Sequence, residues 1–116
     1  MNQNFPEIHE FSDSFDKTIL EHQRLGREYA KAKALSWKMQ ELCKSILAGI
    51  SSQFEGSEAS KERKARASAE YKEYIDGVSV AIEKEHEAKI DFDNADMRFE
   101  SLRSLCSLDK KQMQIR

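Results

Sequence analysis

Glu83-Lys84-Glu85-His86 is the stretch of this chain whose residue types and spacing could hold a metal. A carboxylate and an imidazole three residues apart share one helix face, which is how helical bundles present ligands to paired metal ions. Such a centre needs a second Glu-x-x-His and further inward-facing carboxylates. The sequence has no second pair, so the expected reading is a solvated face with no metal and no cofactor. His22 is likewise expected to be a packed, core-edge histidine rather than a ligand. Glu85 is expected as a polar layer within an apolar seam, bonded to Tyr29 or Lys89. Lys61, Arg63, Lys64 and Arg66 form a basic cluster that could contact nucleic acid. Glu58 and Glu62 partly neutralise it, and no aromatic residues interleave with it. There is no glycine-rich phosphate loop, nucleophile elbow or Cys-x-x-Cys pair. Ser, His and Asp side chains occur without an implied pocket, so an enzyme is not expected.

The elements that would position these residues are helices. From Ala67 to Cys106 the residues Tyr71, Tyr74, Val78, Ala81, Glu85, Ala88, Phe92, Ala95, Phe99 and Leu102 recur at alternating steps of four and three. Only Glu85 among them is charged. That is a coiled-coil seam, on a helix about 60 Å long. Its alanines let a neighbouring backbone approach, and the phenyl rings of Phe92 and Phe99 fill the gaps. A first, more mixed seam runs through Ile8, Phe11, Phe15, Thr18, His22, Leu25, Tyr29, Ala32, Ser36, Met39, Cys43, Ile46, Ile50 and Gln53. Pro6, the single proline, suits a first helical turn. Gly26 lies beside this seam and is read as tolerated, at a cost of about 1 kcal/mol relative to alanine.

The one strong break is Phe54-Glu55-Gly56-Ser57. Gly56 can end a helix in a left-handed conformation, and Ser57 or Ser60 can cap the next. The expected fold is therefore all-α: a single domain formed by a long antiparallel two-helix hairpin, self-associating into a helical bundle. Helix 1 covers about 6–54, a turn 55–57, helix 2 about 58–106, and a tail 107–116. Residues at equal height should have numbers summing to about 113–114, which pairs Phe15 with Phe99 and separates Cys43 from Cys106.

Composition agrees with this reading. The chain has 116 residues, 34% of them charged, with four glycines and one proline. That is too polar for a wide core and too poor in turn formers for an all-β fold. A net charge of −2 argues against a histone-like nucleic-acid binder. No run of about 18 apolar residues is present, and a secretory signal is not expected. Two cysteines are too few for a disulfide scaffold. A cytoplasmic location is the expectation.

The rows flanking the seams change character halfway. Ser14, Glu21 and Glu28 give way to Leu35, Leu42 and Gly49, while Ile75 and Ile82 precede Lys89, Asp96 and Arg103. Leu47 and Phe54 add apolar surface at the same end. A hairpin alone cannot cover so wide a stripe. Leu35, Leu42, Leu47, Phe54, Ile75 and Ile82 are therefore the expected oligomer interface.

Glu70 to Met113 carries Tyr71 and Tyr74, the run Phe99-Glu100-Ser101-Leu102-Arg103-Ser104, and Ser107 with Met113. On these residues, the second half of the chain resembles small helical, coiled-coil proteins encoded by bacteriophages and prophages. The resemblance implies an accessory role in host cytoplasm, beside phage recombination or replication genes, and transfers no catalytic residue. The expected function is a non-enzymatic, oligomeric interaction or scaffolding module, whose partner would be a phage or host DNA-metabolism protein. The alternative is direct nucleic-acid binding through the basic cluster, together with Lys31, Lys33, Lys38 and Lys44.

Overall fold

The heptad spacing of both seams is realised as helix. A computed structural model describes the backbone of residues 5–115 and the side chains of residues 13–111. Seam positions Ile8 and Phe11 and the tail residue Met113 lie outside the described side chains. Four helices follow in order: α1 (Phe5–Glu41), α2 (Cys43–Ser51), α3 (Glu58–Ala67) and α4 (Ala69–Ile115), with no strand among the described residues. The chain divides into two compact units, one drawing on residues 1–29 and 88–116, the other on residues 30–87.

In the first unit the seam is a ladder of aromatic rings supplied alternately by α1 and α4. Phe15 stacks on Phe99 at 6.2 Å between ring centroids, Phe99 on His22 at 4.9 Å, His22 on Phe92 at 5.1 Å, and Phe92 on Tyr29 at 6.0 Å. Contacts climb α1 as they descend α4. Offset stacking of this kind adds about 0.5–1.5 kcal/mol per pair beyond the apolar area it covers. Leu25 and Ala95 are buried beside the ladder. At Gly26 the two helices approach closely: a Cβ there would stand 3.1 Å from Phe92 Cε1. An added Cβ would require the ring to give by a few tenths of an ångström, so the glycine accommodates a close approach as well as costing helix propensity.

In the second unit Ser36, Val78 and Ala81 are buried along the seam. Ser36 accepts a hydrogen bond from Gln40 Nε2 at 3.0 Å. The Tyr74 hydroxyl donates to the Met39 carbonyl at 2.6 Å, tying α4 to α1. Leu47, Ile50 and Ala65 form a small core covered by Ile46, Phe54 and Tyr71.

Several boundaries differ from the periodicity reading. Periodicity carries helix 1 to residue 54, but α2 ends at Ser51. There Gln53 N–H bonds the Ile50 carbonyl and Phe54 N–H the Ser51 carbonyl, both at 3.1 Å. These tight three-residue turns leave the α-helical path and bring Phe54 onto the Leu47 core. Gly56 does adopt positive φ, 123°. It does so immediately before the Ser57 cap rather than at the end of α2. Ser57 Oγ accepts from Ser60 N–H at 3.2 Å, so Ser57 rather than Ser60 is the cap.

The second helix is not continuous from 58 to 106. Ser68 is extended, with φ −71° and ψ 151°, and separates α3 from α4. Its hydroxyl donates to the Ala65 carbonyl at 2.6 Å and accepts from Tyr71 N–H at 3.2 Å. One side chain thus closes α3 and opens α4, the competition that makes serine weak inside helices and strong at their ends. Leu42 marks a milder turn between α1 and α2, with φ −82° and ψ −6°. Helical bonds flank it, Leu42 N–H to Lys38 and Ile46 N–H to Leu42, so the heptad phase survives. Residues 107–115, expected as a tail, continue α4. The apolar seam runs out at Cys106, but neither proline nor glycine follows to stop the helix.

Candidate functional site

Glu83 and His86, the pair with metal-ligand spacing, are both exposed on α4. Among the described residues no three His, Cys, Asp or Glu side chains converge. Glu85 is half-buried. Cys43 and Cys106 are half-buried free thiols.

His22 is held on three sides. The rings of Phe92 and Phe99 stack on its imidazole, and its Nε2 lies 2.9 Å from Asp96 Oδ1. The hydroxyl one turn earlier, on Thr18, donates to the Ser14 carbonyl at 2.8 Å. It is engaged by its own helix rather than by the imidazole. The His22–Asp96 pair thus acts as a polar clasp on an aromatic seam. Sequence spacing placed His22 in the seam but gave no sign of Asp96, which lies on the flanking row.

The basic cluster takes on a different meaning once the Ser68 break is seen. In a helix running from 58 to 106 these cations would sit at the unfavourable N-terminal end. In the short α3, Lys64 and Arg66 occupy the last turn, where the helix dipole favours cations. Arg66 pairs with Glu62 at 2.9 Å and Lys61 with Glu58 at 3.9 Å, and Lys64 Nζ donates to the Glu55 carbonyl at 3.2 Å. The Glu62 hydrogen bond raises the Arg66 pKa above its ordinary value. Arg63 is exposed. At 100° per residue, Lys61 and Lys64 fall on one side of α3 and Arg63 and Arg66 nearly opposite, so the four form no single stripe. A groove of 460 Å³ runs between α2 and α3, lined by cations Lys44, Lys61 and Arg66 and by Glu58 and Glu62. Its mixed charge suits neither a phosphate backbone nor a basic ligand.

The six apolar interface candidates separate into three pairs. Leu47 is buried, and Phe54 packs on the Leu47–Ile50–Ala65 core; both are occupied within the chain. Ile75 and Ile82 are half-buried. Leu35 and Leu42 remain exposed, at 53% and 41%. Beside them, Met39, Ile46, Tyr74 and Gly77 line an open groove of 360 Å³, with Glu70 and Glu73 at its edge. Leu35, Met39, Leu42 and Ile46 follow the four-three-four spacing of one helix stripe. Val80 on α4, one turn beyond Gly77, is also exposed, at 49%. Gly77 lines the groove without a side chain, and a Cβ there would make ordinary contact with Met39 Cε at 3.4 Å. Sequence rows identified the leucines but not the groove, which needs α4 alongside α1.

Burial raises the Tyr74 pKa, and the neighbouring Cys43 thiol adds to the effect. This hydroxyl is thereby kept as a donor to Met39.

Compared with known proteins, the chain matches no family model, no curated protein and no solved structure.

Proposed function

We propose that this chain is a single antiparallel helical hairpin acting as a non-enzymatic interaction module, self-associating through the apolar flank of residues 30–87. One observation carries the reading: Leu35 and Leu42 stay exposed beside an apolar groove, while Leu47 and Phe54 are used to close the chain on itself. Exposed apolar surface organised as a stripe is what helix-in-groove and helix-on-helix recognition use. The resemblance of Glu70–Met113 to phage-encoded helical proteins supports an accessory role in host cytoplasm, with a DNA-metabolism protein as partner. Direct nucleic-acid binding is the weaker reading, because Lys61, Lys64 and Arg66 already have partners within the chain.

Sedimentation over a range of protein concentrations tests the reading. The wild-type chain is expected to associate, and Leu35→Lys with Leu42→Lys to give a monomer of unchanged helicity. A wild-type chain that stays monomeric at every concentration refutes self-association.

A further inference from the structure

We propose that the Leu35–Leu42 face is occupied by a second copy of this chain, related by a two-fold axis running along the helices, so that Lys38 of each copy meets Glu73 of the other. The inference rests on the self-association reading and adds the face, the orientation and the specific contact.

The argument is one of charge complementarity. The face has two edges. On the α1 side are Lys31 and Lys38, seven residues apart and so on one row; on the α4 side, level with the groove, are Glu70 and Glu73, with Lys84 seven residues beyond Gly77 on the Glu70 row. Lys31, Lys38, Glu70 and Glu73 are all exposed. None is ion-paired within the chain among the described residues, whereas Arg24, Arg66 and Lys89 are held by acids on their own helices. Between the edges lie the exposed Leu35 and Leu42 and the groove over Gly77.

A face with one basic and one acidic edge can meet its own copy in two symmetric ways. With the two-fold axis perpendicular to the helices, each edge meets its like: lysine opposes lysine and glutamate opposes glutamate. With the axis parallel to the helices, the edges exchange and opposite charges meet. Like-charge contacts exclude the first arrangement more strongly than opposite-charge contacts reward the second.

The parallel axis also preserves height, and height is fixed by a hydrogen bond. The Tyr74 hydroxyl bonds the Met39 carbonyl, and Lys38 and Glu73 each immediately precede one of those residues. They therefore stand level on opposite edges, and the symmetry brings them together twice per dimer. Leu35 and Leu42 of each copy then face the α4 side of the other, at the groove over Gly77, and the contact is isologous.

Charge reversal tests this, read by sedimentation equilibrium at low salt, with circular dichroism confirming the fold. Lys38 is exposed, so its replacement leaves helicity intact. Lys38→Glu converts two attractive contacts per dimer into repulsive ones and is expected to weaken dimerisation about tenfold. Adding Glu73→Lys in the same chain restores the wild-type constant, and the single-variant defect shrinks as salt screens it. In the perpendicular arrangement Lys38→Glu alone would exchange one like pair for another or relieve a repulsion with Lys31, and in neither case weaken association. An associating wild type whose constant is unmoved by Lys38→Glu, or unrestored by the double reversal, overturns this inference while the self-association reading stands. A wild-type monomer overturns both.

Discussion

Gly26→Ala sets two effects of similar size against each other, and the ring of Phe92 decides between them. Alanine is the better helix former by about 0.8–1.0 kcal/mol, so on helix propensity alone the substitution stabilises. The added Cβ, however, would lie 3.1 Å from Phe92 Cε1, 3.6 Å from Cδ1 and 3.8 Å from Cζ. The ring has little room to yield, since His22 stacks on it at 5.1 Å and Tyr29 at 6.0 Å. Overpacking of this kind costs about 1–3 kcal/mol. The expected net is a loss of about 1 kcal/mol. The sign should reverse when the clash is removed. In Phe92→Leu the branch ends near the former Cδ positions, so the closest approach returns to ordinary contact. Gly26→Ala in that background is expected to stabilise by about 0.5–1 kcal/mol, a coupling of roughly 1.5–2 kcal/mol between neighbours. Urea unfolding followed by far-ultraviolet circular dichroism on the four chains measures it. A wild-type background in which Gly26→Ala stabilises by the full propensity difference would show that Phe92 does not crowd α1, and the reading of Gly26 would fail.

Two further outcomes follow from single hydroxyl groups. Tyr74→Phe should cost about 1 kcal/mol, leaving the Met39 carbonyl without its donor. The Tyr74 pKa is raised in the folded chain, so on alkalinisation the unfolded chain loses this proton first. The contribution is present below about pH 10 and falls as pH rises through the folded value. The Tyr74→Phe variant should lack that part of the alkaline loss in an unfolding titration; identical alkaline profiles would disprove it. Ser68→Ala removes the hydroxyl that closes α3 and opens α4, at a cost of about 0.5–2 kcal/mol. Amide exchange should accelerate at Tyr71, whose N–H loses its acceptor, and unchanged protection there would count against the double-cap role.

Heptad spacing alone establishes that this chain is helical and marks most of the residues that face inward; Leu47 and Ala65, buried off both seams, are the exceptions. Such spacing is a local record of burial, and at Leu25, Ser36, Ile50, Val78, Ala81 and Ala95 the seam residues are the buried ones. A serine cap at Ser57 or Ser60 was legible for the same reason, because a serine and the amide it bonds lie three residues apart, and the structure selects Ser57. The breaks at Ser51 and Ser68 were not legible from period alone. The Ser68 hydroxyl could have stayed inside a helix or bonded backbone groups on both sides, and it does the second as Tyr71 packs on the Leu47 core; at Ser51 the tight backbone turns accompany the packing of Phe54 on that core. The meaning of Gly26 depended on a phenyl ring 66 positions away in the chain. Leu47 and Leu42 read alike in the sequence, yet one is in the core and the other faces the open groove side. That division arises only when α2 meets α3 and α4 lies against α1, since burial is decided by partners distant in sequence.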